Sequence, residues 1–147
     1  KPNLYNTLLS ILYLDRLNHK KNYKNNLEIN RQVDCISGAG IFIKLSLFKS
    51  MKGLDNNLFW MEDIDFCVRC LNNGYNNYYI NDAEIIHHKG KSSEKNWSIT
   101  TNNQLISKIK YFQKHQTSIQ TFILTITIFA VSTALLSGLD TKLASDH

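Results

Sequence analysis

The stretch LFWMEDIDFCVRCL, residues 58–71, contains the feature that decides the fold of this chain. Three carboxylates, those of Glu62, Asp63 and Asp65, stand together near its start, and Asn73-Gly74 follows its end. Acidic residues in a first turn complement the helix dipole, and glycine is common just beyond a helix end. The sequence therefore predicts a helix that begins at the carboxylates and ends near Gly74. Part of the acidic cluster thus needs no functional explanation.

Two glycines interrupt the apolar run VDCISGAGIFIK, residues 33–44, upstream of this helix. A glycine inside a strand leaves no side chain to pack, and it indicates close approach of a ligand or another backbone. We therefore expect a glycine-broken strand over residues 36–44. A short helix over 46–51 that ends at Gly53, and a turn over 54–57, are predicted to follow.

The rest of the chain alternates between apolar and polar segments. Apolar spacing predicts an amphipathic helix near the start, and asparagine-rich composition predicts a surface loop after it. In chain order, these further elements are a helix over 4–17, a polar loop over 18–32, strands over 75–80 and 83–86, and a basic helix over 104–114.

Residues 116–139 carry no charged side chain over 24 positions. A helix of this length reaches across the roughly 30 Å of a bilayer core, but threonine and serine residues interrupt the apolar ones. The sequence leaves open a transmembrane helix, a helix lying in the membrane interface, and a helix packed on a partner. If the segment spans a membrane, its Lys-rich flank over 108–114 places the preceding domain in the cytoplasm.

The composition excludes several classes of protein. With 147 residues, 43% hydrophobic and 20% charged, the chain fits about one packed domain and not a wholly disordered protein. The net charge is +5, but the tight basic cluster of Lys20, Lys21 and Lys24 lacks interleaved aromatic residues. We therefore expect no nucleic-acid partner, whereas the basic residues just before 116–139 favour a membrane surface.

The number of cysteines indicates the redox state of the cellular compartment, and the first residue indicates whether the sequence starts inside a longer protein. Three cysteines are too few to staple a small secreted scaffold, and an odd number leaves one thiol unpaired, so we expect a reducing compartment. The first residue is Lys1, and no signal-peptide pattern follows it, which predicts an internal start.

The acidic cluster follows Phe59 and Trp60, and His87 comes later, after a predicted strand. A carboxylate among aromatic side chains suits general-base catalysis, because partial burial and like-charge neighbours tune its pKa. A histidine at a strand end can bind a metal or a diphosphate. Together these residues describe a site that deprotonates a hydroxyl while a cation neutralises a leaving group. The alternative is a helix-capping cluster with a surface histidine.

A small zinc-binding domain is a second hypothesis for part of the same region. Cys67 and Cys70, followed by the adjacent His87 and His88, supply suitable donors for a structural zinc ion. Adjacent histidines rarely both reach one metal with good geometry, and cysteines three residues apart on a helix more often pack into a core.

A non-catalytic, membrane-anchored binding module is a third hypothesis. In this module, the segment 116–139 docks the chain to a bilayer and the acidic cluster binds a partner. Function that survives replacement of the Asp63 carboxylate would favour the module over an enzyme.

A series of short motifs runs in a fixed order through the stretch 33–93. They are Val33-Asp34, Ser37-Gly38-Ala39, Gly53-Leu54-Asp55, Leu58-Phe59, the run from Met61 to Arg69, Gly74-Tyr75, His87, Gly90 and Ser92-Ser93. With these motifs, the stretch resembles the C-terminal half of the catalytic domain of bacterial family-2 glycosyltransferases of the GT-A type, the rhamnosyltransferase-like enzymes of cell-surface polysaccharide synthesis. Several spaced motifs in the right order make the resemblance specific, whereas each motif alone is weak.

The resemblance implies an α/β fold, namely the C-terminal part of a Rossmann-like mixed sheet followed by a membrane-associated helix. It divides the chain into five parts. They are a helix and polar loop over 1–32, the acceptor-side half of the GT-A domain over 33–100, a basic linker helix over 101–115, the transmembrane or interfacial helix over 116–139, and a tail over 140–147.

The resemblance also implies roles for individual residues. Asp63 takes the place of the catalytic base, which deprotonates the acceptor hydroxyl so that it attacks the anomeric carbon with inversion. Glu62 would bind sugar hydroxyls beside it, and Gly38 and Ala39 fall where the backbone approaches the sugar. His87 matches a histidine that in related enzymes reaches the metal or the diphosphate.

Trp60 is expected to be a further substrate-binding residue, packed or stacked on a sugar. The resemblance implies Mg²⁺ or Mn²⁺ as cofactor, held by an Asp-x-Asp motif of a nucleotide-binding half that this sequence does not contain. The implied partners are a nucleotide-sugar donor, a saccharide or lipid-linked acceptor, and the cytoplasmic face of the cell membrane. The isolated chain is expected to be inactive.

Overall fold

The computed structural model describes residues 1–12, 14, 29–87 and 97–145, with side chains left undescribed at 97, 98 and 135–145. Its elements divide between two compact units, one formed by Lys1 with Asn22–Tyr111 and the other by Pro2–Lys21 with Phe112–His147. The elements are α1 (Leu4–Ile11), β1 (Arg31–Val33), a 3₁₀ helix (Gly38–Gly40), α2 (Leu45–Ser50), α3 (Glu62–Asn72), β2 (Asn77–Tyr79), α4 (Trp97–His115) and α5 (Ser118–Ser145).

Helix α3 has the bounds that its sequence predicts. Its first turn contains the three carboxylates, and the chain leaves the helix at Gly74, whose φ is +81°. Glycine adopts this left-handed conformation without the steric cost that a Cβ imposes. The N–H groups of Gly74 and Tyr75 then donate to the carbonyls of Leu71 and Cys70, each at 3.0 Å, which satisfies the last turn.

Replacing Gly74 with alanine is expected to lower the free energy of unfolding by about 1 kcal/mol, and asparagine should cost less. A Cβ built at this glycine meets no described atom within 4 Å, so the cost comes from backbone conformation alone. Urea denaturation of the 147-residue chain measures both losses. Equal losses for alanine and asparagine would contradict this explanation.

The sheet of the first unit is smaller than the sequence predicts. Strands β1 and β2 pair antiparallel, with Arg31 opposite Tyr79 and Val33 opposite Asn77. Strand 75–80 is thus confirmed in its centre. The mixed α/β class is also confirmed, whereas the larger GT-A sheet stays a prediction.

Two predicted strands are wrong. Residues 36–44 contain the 3₁₀ helix instead of a strand, because the N–H groups of Ile36 and Gly38 donate to side chains of α3 and not to a neighbouring strand. Residues 83–86 are irregular, and Ile86 is 90% exposed. An apolar run becomes a strand only where a neighbour pairs with it, and among the described residues none pairs here.

The core of the first unit is built around the inner face of α3. Leu58 and Met61, just before the helix, are buried, and the rings of Phe48 and Phe66 lie 5.5 Å apart. Further buried side chains among the described residues of this unit include Cys67, Val68, Cys70 and Tyr111. This packing fixes the orientation of α3 and therefore the position of the carboxylates at its N-terminus.

Arg69 joins α3 to the turn that follows α2. Its Nε donates to Asp65 Oδ2 at 2.8 Å, an ion pair between residues at i and i+4 of one helix. Its other nitrogens donate to the carbonyls of Met51 and Gly53. The short helix predicted over 46–51 is confirmed as α2, and Gly53 has a φ of +65°.

The second unit packs α1 against α5. Thr7 and Ile11 of α1 and Leu124 and Ile128 of α5 are buried. The helix predicted over 4–17 ends at Ile11, and most of its second half lies outside the described residues. The helices predicted over 104–114 and 116–139 are confirmed as the longer α4 and α5.

Within the described part of the chain, no helix combines the length and the apolar character that crossing a membrane requires. The transmembrane alternative for 116–139 therefore finds no support there. The interfacial alternative and the five domain boundaries stay predictions.

Candidate active site

Asp63 is hydrogen-bonded to the glycine-containing segment that the sequence singled out. Its Oδ2 accepts the backbone N–H of Gly38 at 2.7 Å, and its Oδ1 accepts the N–H of Ile64 at 2.7 Å. Ser37 caps the adjacent 3₁₀ helix by accepting the N–H of Ala39 at 3.4 Å. The fold thus brings Asp63 next to Gly38 and Ala39, which lie about 25 positions earlier in the sequence.

The Asp63 side chain is the described neighbour of Gly38. A Cβ at this position would lie 3.4 Å from both the Cβ and the Oδ2 of Asp63, which is ordinary van der Waals contact. The sequence predicts close approach of a ligand or another backbone here, and for a ligand this stays a prediction. Both residues remain accessible, since Gly38 is exposed and Asp63 half-buried.

Glu62 precedes Asp63 at the first position of α3 and is half-buried. Among the described residues, its buried Oε2 finds no hydrogen-bond partner. A buried carboxylate oxygen without a donor is unfavourable, because desolvation is not compensated. A ligand hydroxyl would supply the missing donor.

Trp60 has an unusual backbone conformation next to this site. Its φ is +66°, a region that bulky side chains rarely occupy, and its side chain is 52% exposed. The Phe59 and Trp60 rings lie 6.1 Å apart with an interplanar angle of 38°. Strained backbone and exposed aromatic rings both occur preferentially at ligand-binding positions.

His87 is exposed and lies just before residues that the structure does not describe. The described residues contain no group of three or more His, Cys, Asp or Glu side chains that could hold a metal ion. They therefore do not form a metal site by themselves. A role for His87 with Mg²⁺ or Mn²⁺ requires ligands from outside this set.

The cysteines of α3 lie in the core, as expected of cysteines three residues apart on a helix. Cys67 and Cys70 are 2% and 3% exposed, and burial raises the pKa of the Cys70 thiol. The zinc hypothesis finds no support in the described residues, and its fourth ligand, His88, lies outside them.

Two residues that position the site were missed in the sequence. The buried Asn77 donates through Nδ2 to the carbonyls of Asp34 at 2.8 Å and Cys67 at 3.2 Å, which joins β2 to both other segments. It lies among several asparagines, so composition indicates a turn and gives no signal for a buried amide. The contacts of Arg69 with the turn at Met51 and Gly53 were missed as well, because only the spacing to Asp65 is visible in sequence.

Two curated proteins are similar to part of this chain. No family model and no solved structure matches the chain. Over 64 residues, it is 34% identical to N-acetylglucosaminyl-diphospho-decaprenol L-rhamnosyltransferase of Mycobacterium tuberculosis, in strains CDC 1551 / Oshkosh and ATCC 25618 / H37Rv. The match covers 43% of this chain and 21% of the relative, so the chain spans about a fifth of the relative's length. Over these 64 residues, the chain is therefore similar to a glycosyltransferase.

Proposed function

We propose that this chain is the acceptor-side part of an inverting glycosyltransferase of family 2, with Asp63 as its general base. The observation that carries the proposal is the 34% identity over 64 residues to a rhamnosyltransferase. The hydrogen bond between the Asp63 carboxylate and the Gly38 N–H, at 2.7 Å, supports it independently. It fixes a half-buried carboxylate beside an exposed segment of backbone that a sugar can approach.

In the proposed reaction, Asp63 removes the proton from an acceptor hydroxyl. The hydroxyl oxygen attacks the anomeric carbon of the donor sugar, and the bond from this carbon to the nucleoside diphosphate breaks with inversion. The two backbone N–H groups held by Asp63 keep its carboxylate in one orientation. A base fixed in this way loses less entropy when it meets the hydroxyl.

Glu62 and Trp60 would bind the sugars. The Oε2 of Glu62 has no donor among the described residues and can accept a hydrogen bond from a sugar hydroxyl. The exposed indole of Trp60 offers a flat apolar face to a pyranose ring. Glu62 directly precedes Asp63 in the sequence, and Trp60 lies three positions before it.

A divalent cation, Mg²⁺ or Mn²⁺, would neutralise the diphosphate leaving group in the natural gene product. The described residues do not complete a site for this ion, and we assign its further ligands to a nucleotide-binding part. His87 is the residue of this chain that we assign to that region.

The acceptor is proposed to be lipid-linked. The relative's name includes a diphospho-decaprenol group, which is a lipid carrier. Apolar side chains such as Ile119, Phe122 and Phe129 are exposed on α5, at 64–71%. This helix is suited to lie in the interface at the cytoplasmic face of the cell membrane, where such an acceptor is presented.

A transfer assay on the natural gene product that carries this chain tests the function. Nucleotide diphosphate sugars are supplied with membranes that contain lipid-linked saccharide, and the product is analysed by mass and by anomeric configuration. We expect a product enlarged by one sugar of inverted configuration. Absence of transfer with every common donor, together with retained membrane binding, would contradict the enzyme and favour the binding module.

A further inference from the structure

The segment just before α2 presents an aromatic and a basic side chain to solvent. Over residues 41–44, half-buried and exposed residues alternate, which is typical of an extended chain with one outward side. Phe42 and Lys44 are the exposed residues of this segment, and Phe42 is fully exposed. Leaving a whole phenylalanine ring in water is unfavourable.

Helix α2 continues the same combination of an apolar and a basic side chain. Leu45, which is 64% exposed, and Lys49 are four residues apart and are therefore neighbours on one face of the helix. The inner face of α2 packs in the core, where the rings of Phe48 and Phe66 lie 5.5 Å apart. Because this packing fixes which face of α2 lies inward, Leu45 and Lys49 stay at the surface.

The charges of this region all have one sign. Residues 41–54 contain three lysines, Lys44, Lys49 and Lys52, and no aspartate or glutamate. All three lysines are exposed, and none of them forms an ion pair with any described residue. The exposed apolar side chains therefore lie in a part of the chain with a net charge of +3.

We propose that the α2 surface, formed by Phe42, Lys44, Leu45, Lys49 and Lys52, binds the surface of an anionic lipid bilayer. The lysines complement the negative charge of the lipid head groups, and Phe42 and Leu45 enter the boundary between head groups and acyl chains. The aliphatic stems of the lysines lie along this boundary, with their ammonium groups among the head groups. The membrane contact proposed above for α5 belongs to the other unit, and this inference does not depend on it.

The apolar side chains distinguish between anionic partners. Positive charge by itself suits a bilayer, an acidic protein and a nucleic acid alike. Phe42 and Leu45 have no hydrogen-bonding groups with which to read base edges or to pair polar groups of a protein. They gain most where apolar acyl chains lie next to anionic head groups, which is the surface of an anionic bilayer.

Sedimentation of the 147-residue chain with lipid vesicles tests the proposal. The vesicles contain either phosphatidylcholine alone or phosphatidylcholine with about a third of phosphatidylglycerol. At about 0.1 M salt, we expect the partition coefficient to be at least about tenfold higher for the anionic vesicles, and about 1 M salt should remove most of this preference. Equal binding to both kinds of vesicle would overturn the proposal without the use of any variant.

Two triple variants with the same change in net charge locate the contact. Replacing Lys44, Lys49 and Lys52 with glutamine should lower the partition coefficient for anionic vesicles by about 100-fold, since each lysine contributes about fivefold. Replacing the three lysines of the stretch 20–24 with glutamine should lower it by less than about threefold. Equal losses would show that net charge, and not the α2 surface, causes the binding.

Two single variants test the apolar part of the α2 surface. Phe42→Ser should lower the partition coefficient for anionic vesicles by about tenfold. Ile99→Ser removes an exposed apolar side chain from α4 and should lower it by less than about twofold. Circular dichroism and thermal unfolding verify that both variants keep the fold. Equal effects of the two substitutions would contradict the proposal.

Measurements without lipid identify the competing partners. Binding to soluble polyglutamate or to duplex DNA that weakens with Phe42→Ser and with the loss of the three lysines would indicate an acidic macromolecule instead of a bilayer. Self-association in sedimentation velocity that Phe42→Ser abolishes would indicate a second copy of the chain. Either result contradicts the proposal. None of these assays contains a sugar donor, so their failure is distinct from failure of the proposed sugar transfer.

Discussion

Replacing Asp63 with asparagine in the natural gene product is expected to lower the turnover number by about 10²–10⁴-fold, the usual effect of losing a general base. Asparagine has the shape of aspartate, and its carbonyl oxygen can still accept the Gly38 N–H, but it cannot take a proton from a hydroxyl. The loss should therefore appear in kcat, with KM changed only a few-fold. Steady-state kinetics at saturating donor measures both quantities.

Asp82→Asn is the matched control for this experiment. It removes an exposed carboxylate from the turn after β2, far along the chain from α3, and should leave kcat unchanged. Thermal unfolding of both variants separates loss of the base from loss of structure. A D63N enzyme that keeps turnover within a few-fold of wild type would remove Asp63 from the catalytic role.

Arg69→Ala is expected to lower the free energy of unfolding by about 3–5 kcal/mol, the range measured when one partner of a buried ion pair is removed. The side chain of Asp65 is fully buried, and that of Arg69 is 19% exposed, so solvent screens this pair weakly. Alanine also removes the donors to the carbonyls of Met51 and Gly53. Urea denaturation measures this decrease, with the same dependence of the free energy of unfolding on urea concentration used for both proteins.

Three further variants identify the source of this stability. Lys49→Ala removes an exposed cation near the same turn and should change stability by less than about 0.5 kcal/mol. Arg69→Lys keeps the positive charge but not the planar guanidinium group with its several donors. Its free energy of unfolding should therefore lie between those of the wild type and R69A. Adding Asp65→Asn to the R69A variant should recover part of the lost free energy of unfolding, because it removes the unpaired buried charge. A loss below about 1 kcal/mol for R69A would show that this network does not stabilise the unit.

The local features of the chain were predictable because they depend on neighbours in sequence. The acidic first turn of α3 and its end near Gly74 each involve residues within about four positions of each other. The same holds for α2 and its end at Gly53, where a positive φ favours glycine. The residue types of the candidate site, above all Asp63 and Glu62, are visible for the same reason.

The site geometry was not predictable, because it depends on contacts between distant segments. Residues 36–44 have the composition of a strand, but the N–H groups of Ile36 and Gly38 donate to Cys67 and Asp63 instead. The two carbonyl contacts of Asn77 arise in the same way. Residue identity alone does not indicate which distant partner satisfies a backbone group.

The sequence by itself therefore determined where α2 and α3 form and which side chains carry charge at the N-terminus of α3. Helix propensity, dipole complementarity and the conformational freedom of glycine are local effects, and each acts on a few consecutive residues. Only the tertiary structure decided that the Gly38 segment leaves the sheet and lies against α3, where it holds the Asp63 carboxylate. That outcome follows from burial of α3 and from the need of each backbone N–H for a partner, both of which are properties of the packed chain.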